Sequence, residues 1–179
     1  MTGYRPLSDM VIPARPKLLN GKKFYGAYPA GLLERARAML GVNINDPVLH
    51  VCGGMTKHYP YPRFSIGPND RTLDLDPATD PDYLQDAREP YPAGFKGVLA
   101  DPPYSADEAK NYKPGASAYP TPGIILRRAL DAVPPGGRVG ILHFKSPNPP
   151  KNTRLVAVLG VWMGYNMAIR SFTFYEREA

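Results

Sequence analysis

Gly97-Val98-Leu99-Ala100-Asp101-Pro102-Pro103-Tyr104 is the stretch on which the fold of this chain turns. Its first four residues form a short apolar run, which reads as a strand buried on both faces. The run ends directly in an acid, so Asp101 is delivered to the carboxyl end of that strand. Pro102 and Pro103 stiffen the backbone that follows and supply no N–H, which leaves nearby carbonyls without a neighbouring donor. Tyr104 then sets an aromatic ring beside them. Open α/β sheets collect their ligands at the carboxyl ends of their strands, so the octapeptide predicts both a fold class and the place where chemistry gathers.

Working outward, Val48-Leu49-His50-Val51-Cys52 predicts a second buried strand, which starts after the turn Asn45-Asp46-Pro47 and stops at Gly53-Gly54. Thr72-Leu73-Asp74-Leu75 predicts a third, ending among Asp74 and Asp76. Tyr83-Leu84-Gln85-Asp86 is a short ordered piece within the proline- and acid-rich residues 77–96. Downstream, residues 138–144 form a strong strand, and residues 155–162 and 168–175 a hairpin joined through Gly164-Tyr165-Asn166. Helices fit at 29–40, with Pro29 in the first turn and Gly41 as C-cap, and at 122–133, which Pro134-Pro135-Gly136-Gly137 terminates. Pro60, Pro62 and Pro68 exclude a regular helix over 55–70. Residues 105–119 read as a polar loop that either closes over a ligand through Tyr112 and Tyr119 or simply connects. The prediction is one α/β domain over 26–179, with a mostly parallel sheet and a C-terminal antiparallel hairpin, preceded by an irregular basic arm over 1–25.

The chain has 179 residues, 43% of them hydrophobic, which suits a single well-buried core. No apolar run approaches the roughly 20 residues that span a bilayer, and residues 1–20 lack the apolar segment of a secretory signal. A single cysteine, Cys52, cannot form an internal disulfide and fits a reducing cytoplasm. The 22 prolines predict few helices and stiff loops. Net charge is +6 and unevenly placed: residues 1–40 carry seven Lys/Arg against two acids, and residues 138–179 six against two. Such basic ends suit a polyanionic partner, though a merely solvated surface explains them equally well. His50, His58 and His143 form no metal-ligand spacing with Cys52, so no metal is expected. Cys52 and Trp162 read as packing residues.

Asp101-Pro102-Pro103-Tyr104 also has a chemical reading. The lone pair of an exocyclic –NH₂ is delocalised into its ring, which makes the nitrogen a poor nucleophile. A carboxylate and a fixed carbonyl that accept its two hydrogens draw it toward tetrahedral geometry, and an aromatic ring can stack on the extruded base. Here the chain resembles the class I, Rossmann-like methyltransferases that carry an Asp/Asn-Pro-Pro-Tyr signature, typified by DNA adenine and cytosine amino-methylases. The likeness extends to a group of compact bacterial and phage methyltransferase-like proteins.

The resemblance covers about residues 20–175 and implies a seven-stranded sheet and S-adenosylmethionine as cofactor. Asp101 and the Pro102 carbonyl would be the acceptors, Pro103 part of the rigid turn and Tyr104 the stacking platform. His50, Val51, Cys52, Gly53 and Gly54 are similar to the family's glycine motif, although His50 stands where an acid is usual. Asp74, with Asp76 as alternate, would accept the ribose hydroxyls, a vicinal diol suiting a group with two acceptors and no donor. Asp86 would meet the adenine amino group, and Tyr25 and Pro29 resemble the motif that closes over the cofactor. In this chain a loop replaces the family's helix between the first two strands of that sheet. No segment is large enough for a target-recognition region, and a homodimer is one way to supply those contacts. The implied function is methylation of an amino nitrogen, adenine in DNA first. An RNA base, a protein glutamine amide, or a catalytically silent fold that binds nucleic acid or a protein stay open.

Overall fold

The computed structural model describes residues 6–11, 28, 31–58, 66–112, 119–162 and 168–179. In chain order the elements are β1 (Leu7–Val11), α1 (Leu32–Leu40), β2 (Val48–Val51), β3 (Arg71–Asp74), β4 (Tyr83–Leu84), β5 (Gly97–Ala100), α2 (Ala106–Tyr112), α3 (Pro122–Ala132), β6 (Arg138–His143), β7 (Thr153–Trp162) and β8 (Ile169–Arg177). The strands make one sheet in the order β1-β7-β8-β6-β5-β2-β3-β4. All pairs are parallel except β6–β8 and β7–β8, so the C-terminal hairpin supplies the antiparallel part. The chain has the Rossmann-like methyltransferase fold anticipated from its sequence.

Among the described residues the sheet has eight strands rather than seven. Leu7–Val11, within the arm expected to be irregular, pairs in parallel with Ala157–Val161 at the outer edge of the hairpin. Nothing local in Leu-Ser-Asp-Met-Val compels a strand; the open edge of β7 does, because it offers a row of unpaired backbone groups. Arg35 of α1 holds this strand through an ion pair with Asp9.

Strand alternation divides the core in two. Leu49, Val51, Val98 and Ala100 face α3, where Ile125, Leu126, Ala129 and Leu130 are buried with Tyr175. Val48, Leu99, Leu142, Phe172 and Phe174 face α1, against Leu32, Leu33, Ala36 and Leu40. A side chain at Gly140 would stand 2.6 Å from the Phe174 ring, so the glycine makes room for that aromatic. The helix ends match the signals in the sequence, but α1 starts at Leu32 rather than Pro29, because Gly31 before it is left-handed at φ 80°. Gly41, at φ 71°, closes α1, and Thr121 caps α3 ahead of Pro122.

Residues 105–119 were expected to be a loop throughout, yet Ala106–Tyr112 is helical. The signal is Ser105-Ala-Asp-Glu108, a capping-box spacing. Ser105 Oγ accepts the Glu108 N–H at 3.1 Å, while the Glu108 carboxylate reaches back to the Tyr104 N–H at 2.8 Å. Between β2 and β3 the described residues hold only a single 3₁₀ turn, Thr56–His58. Tyr25, Pro29 and the hairpin connection Gly164-Tyr165-Asn166 lie outside the described residues.

Candidate active site at the sheet switch point

β2 is followed by β3 on one side of it, whereas β5 is followed by β6 on the other. The chain therefore reverses its winding between β2 and β5, which opens a crevice at their carboxyl ends. Cys52-Gly53-Gly54 and Asp101-Pro102-Pro103-Tyr104 both leave the sheet there. The Asp101 N–H, bonded to the Val51 carbonyl at 3.2 Å, ties the two turns together.

The turn after β2 is built to bring backbone close to a ligand. Cys52 and Gly54 adopt left-handed conformations, at φ 51° and 50°. At Gly53 any side chain would sit 3.0 Å from the His50 carbonyl, so only glycine fits without a shift. The Gly54 N–H donates to Asp74 Oδ2 at 2.8 Å, and the Asp76 N–H to Asp74 Oδ1 at 3.0 Å. Asp74 thus shapes the turn through backbone donors on both oxygens, Leu75 adding a third, within the roughly four acceptor sites a carboxylate offers. Burial pushes its carboxyl up, against the lowering effect of these backbone donors. Asp76 has a local task instead: its Oδ1 accepts the Ala78 N–H at 2.9 Å and caps the next turn.

Asp86 is clasped by Arg88, whose Nη2 lies 2.6 Å from Oδ2 and whose Nε lies 3.0 Å from Oδ1. Burial raises the Cys52 thiol well above its ordinary range, reinforced in turn by Asp74, Asp101 and Asp86. Three acids from three different strand ends therefore converge on one thiol, which stays neutral and is no nucleophile at physiological pH.

His50 is placed elsewhere. It shares the face of Val48, toward α1, and is fully buried. Its Nε2 lies 3.1 Å from Asp70 Oδ2, which also accepts from Arg37 Nη1 at 2.6 Å and from the Gly67 N–H at 2.9 Å. The Val48 N–H takes Asp70 Oδ1 at 3.1 Å. His50 thus belongs to an ion-pair network beneath α1.

On the other side of the crevice, Asp101 Oδ1 accepts the Tyr104 hydroxyl at 2.7 Å. Burial pushes the Asp101 carboxyl up to about 7; the Tyr104 bond and the nearby Arg170 charge pull it down, and Glu108 raises it. Among the described residues no donor reaches Asp101 Oδ2 or the Pro102 carbonyl oxygen. Two acceptors therefore stand open side by side in sequence.

Three further residues, His143, Phe144 and Arg170, complete this side and were not singled out as site residues from the sequence. The Tyr104 ring meets the edges or faces of His143 and Phe144 at 5.3 and 4.9 Å, and the Arg170 guanidinium stands 4.7 Å over it. Burial, then the charge of Lys145, lowers the His143 pKa, so its ring is neutral. His143 Nδ1 accepts the Lys145 N–H at 2.9 Å, which places the ring proton on Nε2, facing the Tyr119 oxygen at 2.8 Å. Of the expected loop residues, Tyr119 is thus fixed at the site. The parallel β5–β6 pairing brings the end of β6 beside Asp101, and the antiparallel β6–β8 pairing puts the start of β8 beside that end.

Among the described residues no group of three or more His, Cys, Asp or Glu could hold a metal ion. None of their helices is long and apolar enough to cross a membrane.

Sheet order, switch-point crevice and terminal hairpin together define the class I methyltransferase architecture. Solved structures with this architecture include TrmN from Thermus thermophilus (TM-score 0.59, 20% identity), which matches over 82% of this chain and 48% of its own. The chain thus spans about half the length of that protein. A putative methylase of Haemophilus influenzae, HI0767, matches at TM-score 0.51 and 13% identity, over 81% of this chain and 86% of its own. The 1,6-didemethyltoxoflavin-N1-methyltransferase of Burkholderia thailandensis, solved with its substrate and S-adenosylhomocysteine, matches at 0.52 and 15%, over 83% and 80%. No protein-family model matches the sequence, and no curated protein does.

Proposed function

We infer that the protein is an S-adenosylmethionine-dependent methyltransferase acting on an exocyclic amino nitrogen, with adenine in DNA as the first candidate. The observation that carries this reading is the pair of open acceptors, Asp101 Oδ2 and the Pro102 carbonyl, at the switch-point crevice. An –NH₂ group needs two acceptors to be aimed, and a rigid proline turn holds them without reorganisation.

The crevice suits the cofactor by its own chemistry. A glycine turn admits a ligand against the backbone, and Asp74 keeps acceptor capacity for a vicinal diol. Asp86, expected to meet an amino group, has both oxygens held by Arg88, so in that role it would have to share them with the ligand. When bound, S-adenosylmethionine supplies an electrophilic methyl group. The chain's part is to accept the hydrogens of the amine, hold it in line and exclude water. Ionised Asp101 stabilises the positive charge that grows on the nitrogen and is placed to take its proton. Both termini of the chain are basic, as a polyanionic substrate would require.

The test is transfer of radiolabelled methyl to DNA, RNA and a protein extract in parallel, with wild type and Asp101→Ala. Label on DNA that disappears in the variant supports the assignment. Label on RNA or protein alone moves the substrate, and no label on any, from folded protein that also fails to bind cofactor in calorimetry, overturns it.

A further inference from the structure

Arg170 stands out because its surroundings fix it without using it. It opens β8 beside the end of β6, and its guanidinium lies 4.7 Å over the Tyr104 ring and 5.7 Å from the Phe144 ring. Such stacking orients the planar group through the ring quadrupoles and leaves the N–H donors at its rim free. Among the described residues it makes no hydrogen bond and no ion pair, and its Nε is buried without a partner. Of the acids nearby, Asp101 takes the Tyr104 hydroxyl on Oδ1 and Glu108 the Tyr104 N–H, and Arg170 acts on Asp101 through its charge alone. A guanidinium that is oriented, partly desolvated and left with its donors unspent is prepared for an anion that arrives with the substrate.

We propose that Arg170 is an anion-recognition residue of the acceptor site, taking a phosphate group next to the amine that is methylated. The assignment rests on the reading of the crevice as the place where a nucleotide base meets Asp101. A planar fork matches two phosphate oxygens, whereas a lysine would offer only a point charge. Phosphate contacts fix register without reading sequence. Phe144, 43% exposed, would then border the same substrate next to the guanidinium. The phosphate can come from a mononucleotide or from the backbone of a polynucleotide, the chemistry at Arg170 being the same.

Two measurements on the full chain test this. First, inorganic phosphate is titrated into ¹⁵N-labelled protein while the arginine Nε–Hε signals are followed, with Arg170→Lys identifying the Arg170 signal and the amide spectrum confirming the fold. A saturable shift of that signal is expected. No shift overturns the proposal, whatever nucleosides do. Second, deoxyadenosine is compared with deoxyadenosine 5′-monophosphate, and a dinucleotide with its methylphosphonate counterpart, by calorimetry. Wild type should prefer the phosphorylated member of at least one pair by about tenfold or more, and which pair responds identifies the source. Arg170→Lys and Arg170→Gln should both lose most of that preference; an equal preference in all three proteins overturns the proposal. If phosphate shifts Arg170 while no nucleoside or nucleotide binds, the anion site stands and the nucleic-acid reading falls.

Discussion

The Tyr104 hydroxyl donates to Asp101 Oδ1 across 2.7 Å, so the last residue of the Asp-Pro-Pro-Tyr turn acts back on the first. A bond to the ionised form favours ionisation, and here it opposes the burial that pushes Asp101 up to about 7. Tyr104 is therefore more than a ring: it keeps the carboxylate available near neutral pH.

If Asp101 must be ionised to accept the amine hydrogens, kcat/KM should rise with pH to a plateau, with a midpoint near 7. Below that midpoint it should fall about tenfold per pH unit, since only the ionised fraction works. Tyr104→Phe keeps the ring and removes the donor, so the midpoint should move upward while the plateau at high pH is largely retained. A pH–rate profile from 5 to 9.5 decides it. A midpoint unmoved by Tyr104→Phe would mean that the hydroxyl does not act through Asp101.

Asp74 and Gly54 offer a paired test on the cofactor side. Asp74→Ala removes both the acceptor proposed for the diol and the carboxylate that anchors the Gly54 and Asp76 N–H groups. The affinity for S-adenosylmethionine should fall by about 10- to 100-fold, the loss of hydrogen bonds to a charged group. Gly54→Ala meets no atom within 4 Å but must hold φ 50°, which costs on the order of 1–2 kcal/mol of stability. Isothermal titration with thermal unfolding separates the two effects. Asp74→Ala binding as tightly as wild type would remove Asp74 from the cofactor site.

How far the site could be read from sequence depended on whether the signal was local. Gly97–Ala100 running into Asp101 was legible because a buried strand and its terminal acid are contiguous, and Gly41 because a left-handed cap favours glycine. The hairpin was legible from two apolar runs. β1 was not, since only the distant edge of β7 makes Leu7–Val11 a strand. α2 carried a readable signal in Ser105 and Glu108 that glycines, prolines and tyrosines over the rest of that stretch obscured. The His50 side chain is turned toward α1 and held by Asp70, an orientation that alternation alone yields once α1 is known to cover Val48. Phe144 reaches Tyr104 through the parallel β5–β6 pairing and Arg170 through the antiparallel β6–β8 pairing, and no spacing in the sequence encodes either.

The network around Asp70 should be a stability hot spot remote from catalysis. Asp70 is 5% exposed and receives Arg37, His50 and the Val48 and Gly67 N–H groups. Asp70→Ala leaves the Arg37 guanidinium, itself 5% exposed, without its carboxylate and orphans two backbone donors. Breaking a buried pair in this way costs about 3–5 kcal/mol. Urea unfolding should show that loss, or no folded protein at all. Asp70→Asn keeps one acceptor oxygen and should retain part of the stability. A loss below about 1 kcal/mol in Asp70→Ala would mean that the network adds nothing beyond packing.

Asp101 should itself weaken the fold in a pH-dependent way. Below pH 4 the carboxyl is protonated in folded and unfolded chains alike and contributes no difference. Between about 4 and 7 the unfolded chain releases its proton while burial makes the folded chain keep it, so each rise in pH favours unfolding. Above 7 both forms are ionised and the penalty is complete, on the order of 2–4 kcal/mol. Asp101→Asn cannot ionise and escapes the penalty, while the amide keeps an oxygen to accept the Tyr104 hydroxyl. The variant should therefore gain on wild type by that amount between pH 4 and pH 8, measured as the difference of their urea unfolding free energies at the two values. A difference that stays flat would mean that Asp101 is solvated as an ordinary surface acid. A rising one, together with lost methyl transfer, would identify a carboxylate kept in an unfavourable place because the chemistry needs it there.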